Sequence, residues 1–97
     1  MTAPDHDIAA EARAMLASVQ KPTVPDVLPL VLAYYAKPEN GAGGSLHVVL
    51  DDRNIGTPFV ESALERAEEA GDADGAALAK LLLRMSKTQR LKLCDLK

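Results

Sequence analysis

Apolar residues in this chain recur every three to four positions, and most of them are Ala and Leu. Ile8, Ala12, Met15, Leu16 and Val19 form one such stripe, and Leu78, Leu81, Leu82 and Met85 form another. That spacing matches the 3.6-residue period of an α-helix, not the alternation of a strand. Sheets draw on β-branched and aromatic side chains, whereas Ala and Leu are the strongest helix formers. The aromatics here are only Tyr34, Tyr35 and Phe59. The pattern predicts an all-α fold, a compact orthogonal or antiparallel bundle of about five short helices. The 97 residues fit one domain spanning 1–97.

Start and stop signals divide the chain. A first helix is expected from Pro4 to Gln20, capped by Thr2 or Asp5 and ended by Lys21-Pro22, because the residue before proline is pushed out of the α region. A second is expected over Val27–Ala36. With Asp26 as its cap, Pro29 falls in the first turn, where the missing N–H costs little. Capping by Thr23 would place Pro29 deeper. This segment is apolar all round, which predicts a place at the centre of the fold or beneath a second chain. KPENGAGG, from Lys37 to Gly44, reads as a loop.

Thr57 as N-cap with Pro58 at N1 starts a third major helix and Gly71 closes it, with Val60, Ala63, Leu64 and Ala67 inward. A fourth covers Asp74–Met85. Ser86-Lys87-Thr88-Gln89 is a capping box that opens a fifth. The short connections at Gly71 and Ser86 predict antiparallel neighbours around Leu30, Val31, Leu64, Leu81 and Leu82. The segment SLHVVLDD, residues 45–52, is ambiguous. As a helix it places Leu46, Val49 and Leu50 on one face; as a strand, Leu46, Val48 and Leu50. A lone strand has no ladder partner, so the helix is favoured.

Charge is unevenly distributed. Up to Ala76 there are five basic residues against thirteen acidic ones; from Ala77 there are six basic residues against Asp95 alone. Either the two halves pair within the fold, or the basic last third docks on an acidic partner or on nucleic acid. Glu61, Glu65, Glu68 and Glu69 line the outer face of the third major helix. Their like charges at i,i+4 call for something positive nearby. Cys94 is the only cysteine, so no internal disulfide forms and a small core residue is the simplest reading. No apolar run approaches the roughly 18 residues of a membrane span, and the acidic N-terminus lacks the basic-then-apolar pattern of a secretion signal. The expectation is a cytoplasmic protein.

Candidate chemistry is sparse. On a helix, His47 and Asp51 share a face, and with Asp52 and Asn54 beside them they are weak candidates for a metal-dependent site or an acid–base pair. The competing reading is a polar turn that orders the backbone before Thr57. NGAGGSL lacks the Gly-Lys-Ser/Thr of a P-loop and the third glycine of a dinucleotide fingerprint. Counted from Asp52 in DDRNIGTPFVE, the fifth and twelfth positions of a calcium loop fall on Gly56 and Ala63, which supply no side-chain ligand. Nothing assigns a catalytic residue or a cofactor. Residues 74–97 have the length of a helix-turn-helix, with Lys80, Arg84, Lys87, Arg90 and Lys92 as its cations, which keeps a DNA-binding regulator as an alternative.

The stretch GGSLHVVLDDRN, Gly43 to Asn54, followed by helices ending at Gly71-Asp72 and Met85-Ser86, resembles small uncharacterised proteins encoded by bacteriophages and prophages. The resemblance covers the later two-thirds of the chain. It implies a phage or mobile-element setting and carries over no catalytic residue. The expected function is protein–protein interaction without catalysis, on a host or viral partner, with Glu61, Glu65, Glu68 and Glu69 as the candidate contact surface. A homodimer is compatible with the apolar second helix.

Overall fold

The computed structural model describes residues 7–40 and 44–96. Its α-helices are α1 (Ile8–Ser18), α2 (Val24–Ala36), α3 (His47–Leu50), α4 (Thr57–Ala70), α5 (Ala73–Leu83) and α6 (Lys87–Leu96), with a 3-10 turn at Pro38–Asn40. No strand occurs among the described residues. The segment 45–52 is therefore a turn running into the short α3, and Leu46, Val49 and Leu50 are buried as the helical reading requires.

The centre of the bundle is α5. Gly75, Ala77, Leu78, Ala79, Leu81 and Leu82 are all buried, so this helix is enclosed on most of its circumference. It packs most extensively on α4 and α1 and less on α2. Of the six buried residues on these two neighbours four are alanine, Ala9 and Ala12 on α1 and Ala63 and Ala67 on α4, beside Ile8 and Val60. Small side chains let helix axes approach closely, which gives the alanine-rich composition its structural use. Leu78, Leu81 and Leu82 fill the remaining volume, and each contributes roughly 1.5–3 kcal/mol by leaving water.

The expectation that α2 would be central is corrected. One stripe of α2, Val27, Leu30, Val31 and Tyr34, is buried, but Leu32 stays 48% exposed. Apolarity all round reflects contacts on several sides, with α5, α6 and α1, not enclosure. Its start is corrected too. Thr23 is the N-cap, and Asp26 at the third position reaches back to accept from the Thr23 backbone N–H at 3.0 Å and from its hydroxyl at 2.7 Å. Those bonds hold the Asp26 carboxyl below its ordinary pKa. Pro29 thus lies inside the helix. Its missing N–H would have bonded the carbonyl of Pro25, which lies in the first turn of the helix.

Other boundaries shift slightly. α1 ends at Ser18, before Gln20; its N-cap is Asp7, while Thr2, Pro4 and Asp5 lie outside the described residues. Thr57 is the first residue of α4 rather than its cap, which is Gly56. Gly71 ends α4 with φ of 74°, as expected, and Asp72 then caps α5 through the Gly75 N–H at 2.9 Å. Leu64 is only partly buried.

Ser86 and Gln89 form the expected capping box. The Ser86 N–H donates to Gln89 Oε1 at 3.1 Å, and the Gln89 N–H donates to Ser86 Oγ at 3.2 Å. Yet α6 does not lie antiparallel along α5. It packs on α2 and α3. The residue that sets this departure is Arg90, only 3% exposed. Its Nε donates to the Leu82 carbonyl at 2.7 Å and its Nη1 to the Ile55 carbonyl at 2.8 Å. The carbonyls at a helix C-terminus lack intrahelical partners and carry the negative end of the dipole. Arg90 therefore meets the end of α5 and the approach to α4 together, and burial lowers its pKa.

Arg90→Met should keep the helical circular dichroism signal but leave the Leu82 and Ile55 carbonyls without their donor. A loss of about 2–4 kcal/mol in denaturant unfolding is expected, the range for orphaning buried partners of a charged donor. An unchanged unfolding midpoint would show that these bonds contribute nothing net.

Candidate functional site

Three places can be weighed as sites. The first is His47 with Asp51 and Asp52, at the exposed end of α3. His47 Nδ1 lies 2.8 Å from Asp51 Oδ2, and Nε2 lies 3.7 Å from Asp52 Oδ1. The sequence-derived trio is thus brought together, but with one carboxylate on each side of the ring. A single ion bound at one ring nitrogen faces away from the carboxylate on the other. Among the described residues, no three His, Cys, Asp or Glu side chains are arranged to hold a metal ion. The surrounding backbone is a turn: the Asp51 and Asp52 N–H groups donate to the His47 carbonyl, Arg53 takes φ of 59°, and the Asn54 N–H returns to the Val48 carbonyl at 3.2 Å. Arg53 also pairs with Asp95 of α6 at 2.6 Å.

The second place is the acidic face of α4. Glu61, Glu65, Glu68 and Glu69 are all exposed. Among the described residues none of the four takes part in an ion pair. The basic last third does not cover them. Arg84 donates to the Leu16 carbonyl at 2.7 Å, and Arg90 is buried on backbone carbonyls. Lys80, Lys87 and Lys92 remain exposed. The two halves of the chain therefore keep separate charged surfaces, and two of the cations read as candidate phosphate contacts are engaged elsewhere.

The third place has no counterpart among the sequence motifs. An open cleft of about 420 Å³ is bordered by Lys37, Asn40, Ser45, Gly71, Asp72 and Asp74, among others. Asp72 is its organising group. One carboxylate oxygen caps α5 at Gly75; the other accepts from the Tyr34 hydroxyl at 2.7 Å and the Ser45 hydroxyl at 3.1 Å. Asp74 accepts from the Ala9 N–H at 3.2 Å and pairs with Lys37 at 2.8 Å. Buried Asn40 donates to the Tyr34 carbonyl at 3.1 Å. The bonds of Asp72 and Asp74 to Tyr34, Ser45, Ala9 and Lys37 join different segments, so the cluster fastens α1, α2 and the 44–46 turn to the start of α5. Gly75 is required there, because an added Cβ would overlap the Asp72 carboxylate. The one local signal is Asp72 following the helix-ending Gly71; its partners Tyr34 and Ser45 lie 38 and 27 positions away.

Tyr34 is fully buried and stacks edge-on against Tyr35, with ring centroids 5.2 Å apart. Burial is the main reason the Tyr34 phenol is raised well above its ordinary pKa, and the Asp72 carboxylate adds to it. Tyr35 is raised likewise by burial, then by the charge of Asp51.

No protein-family model matches the sequence, and comparisons with curated proteins and with solved structures find no significant match.

Tyr34 and Tyr35 are the only tyrosines, so phenolate absorbance reports them alone. The folded state holds both phenolic protons more tightly than the unfolded chain, whose phenols titrate near pH 10. Stability is therefore unaffected by these groups below about pH 10 and falls as pH rises beyond it. Absorbance at about 295 nm should stay flat past that pH in the native protein and titrate normally in denaturant. A native midpoint at the denatured value would contradict the burial of both rings.

Proposed function

We propose that this chain is a non-catalytic protein-binding module whose acidic α4 face docks on a basic surface of a partner protein. The observation that carries the reading is the set of four exposed carboxylates, Glu61, Glu65, Glu68 and Glu69, left outside the ion pairs of the described residues. Four like charges along one helix cost stability in the isolated fold. A cationic partner removes that repulsion and is steered toward it over distances up to the screening length. The resemblance of Gly43–Asn54 to small bacteriophage proteins supports a host or viral protein in the cytoplasm as the partner. No described helix is long and apolar enough to cross a membrane.

The polar groups elsewhere support this reading over catalysis. Asp72, Asp74, Tyr34 and Ser45 bond one another or backbone groups that hold the fold together. A reacting group needs a free face and a shifted proton affinity suited to its task.

Glu65→Lys with Glu69→Lys should weaken capture of the partner by about tenfold or more at low salt. The unfolding free energy should stay within about 0.5 kcal/mol of wild type, as for exposed sites. An identical set of captured proteins from wild type and the double variant, quantified by mass spectrometry, would reject the assignment of this face.

A further inference from the structure

The outer face of the α4–α5 pair carries opposite charges in adjacent rows. On α4, Glu61, Leu64 and Glu68 follow one another at successive turns, with Glu65 beside them; the three glutamates are exposed and Leu64 is partly buried. On α5, Ala76, Lys80 and Leu83 form the corresponding row, with Lys80 exposed and Leu83 partly buried. A shallow hollow of about 240 Å³, bordered by Ala67 and Glu68 of α4 and by Ala73 and Ala76 of α5, places the two rows side by side. Arg13 continues the basic row onto α1. Glu11, Ala14, Met15 and Ser18 line the α2 side of α1, so the opposite flank, with Ala9, Arg13 and Leu16, lies beside α5. The Ala9 N–H bonds Asp74 near the start of α5 and the Leu16 carbonyl bonds Arg84 at its end, which sets exposed Arg13 at the height of Lys80.

None of Arg13, Glu61, Glu65, Glu68 and Lys80 takes part in an ion pair among the described residues. The short link at Gly71 and Asp72 and the extensive α4–α5 contact make the two helices antiparallel, which puts Lys80 at the height of Leu64, between Glu61 and Glu68. Such a face is complementary to itself. A two-fold axis parallel to the helix pair lays α4 of each copy over α5 of the other and sets carboxylates against Arg13 and Lys80 twice. A perpendicular axis sets α4 against α4 and is opposed by like charges. A uniformly basic protein would satisfy α4 but meet Lys80 and Arg13. A nucleic acid following those two cations would bring its phosphates against α4.

We infer, resting on the reading of α4 as a docking face, that its partner is a second copy of this chain. Glu61, Glu65 and Glu68 of each copy meet Lys80 and Arg13 of the other around a shared strip of Leu64, Ala76 and Leu83. The same patch serves both copies, so the contact is isologous and closes at two chains. The apolar strip is narrow and the ion pairs are exposed, so the association is weak and salt-sensitive.

Sedimentation of the full chain at about 1 mM, in about 50 mM and about 500 mM salt, tests this. The expected mass at low salt is that of two chains, with the association constant falling about tenfold or more at high salt. Glu61→Lys with Glu68→Lys turns the acidic row net basic, and Arg13→Glu with Lys80→Glu turns the basic row acidic. All four positions are exposed, and the helical circular dichroism signal should be unchanged. Each double variant alone should lose the association. An equimolar mixture of the two should recover a two-chain species at low salt, because each α4 again meets opposite charge on the other copy. The chain carrying all four substitutions should self-associate again, which tests the same complementarity should either double variant fold poorly. A wild type that stays monomeric at low salt overturns the inference, as does association that survives both double variants, or a loss that neither the mixture nor the fourfold chain restores. Docking of α4 on a different protein is judged separately, by the capture comparison with Glu65→Lys and Glu69→Lys; Arg13→Glu with Lys80→Glu leaves such capture intact while abolishing self-association.

Discussion

Asp74 and Arg84 stand at the two ends of α5 and bond the two ends of α1. Asp74 accepts from an N–H in the first turn of α1, and Arg84 donates to carbonyls of its last turn and beyond. The two helices therefore run in the same direction. Parallel helices place like dipole ends side by side, an arrangement that opposes close packing unless charge is supplied at each end. A carboxylate at the N-terminal end and a guanidinium at the C-terminal end supply it. Between these bonds Ala9 and Ala12 of α1 sit buried in the bundle, where only small side chains permit such closeness.

The same logic recurs around the bundle. Asp72 caps α5 while holding Tyr34 and Ser45, and Arg90 meets the carbonyls where α5 ends. Asp74, Arg84 and Arg90 each serve a helix terminus of another segment. That allocation explains why the acidic surface of α4 is left to itself: Arg84 and Arg90, the arginines of the basic last third, are already committed to backbone.

Features set by neighbours along the chain are legible in the sequence. The capping box at Ser86 and Gln89 and the left-handed stop at Gly71 depend on residues within one turn. The helical form of His47–Leu50 follows from the lack of a ladder partner. What stays hidden depends on distance along the chain. Arg90 reads as a surface cation, and only the fold shows that two carbonyl-bearing segments converge on it. Hydrophobicity points to Val24–Ala36 as the centre, whereas enclosure falls to Ala73–Leu83, whose glycine and alanines carry little hydrophobic weight but let other helices come near. Even the start of α2 turns on a competition that composition does not decide. The reciprocal bonds of Thr23 and Asp26 prevail over the preference for keeping Pro29 at the first turn. Of the candidate sites, His47, Asp51 and Asp52 lie together as their spacing implies, yet the cleft around Asp72 joins residues too far apart in the chain for any local pattern to reveal.

The bonds from Asp74 and Arg84 to α1 span 65 to 68 positions. During synthesis, the first helix can meet α2 soon after it emerges, but its larger contact is with α5. That contact must wait until Arg84 has emerged, which at about 5–20 residues per second is a matter of seconds. Throughout that interval the side of α1 that α5 will cover stays bare, and chaperones that recognise apolar helices have their opportunity then.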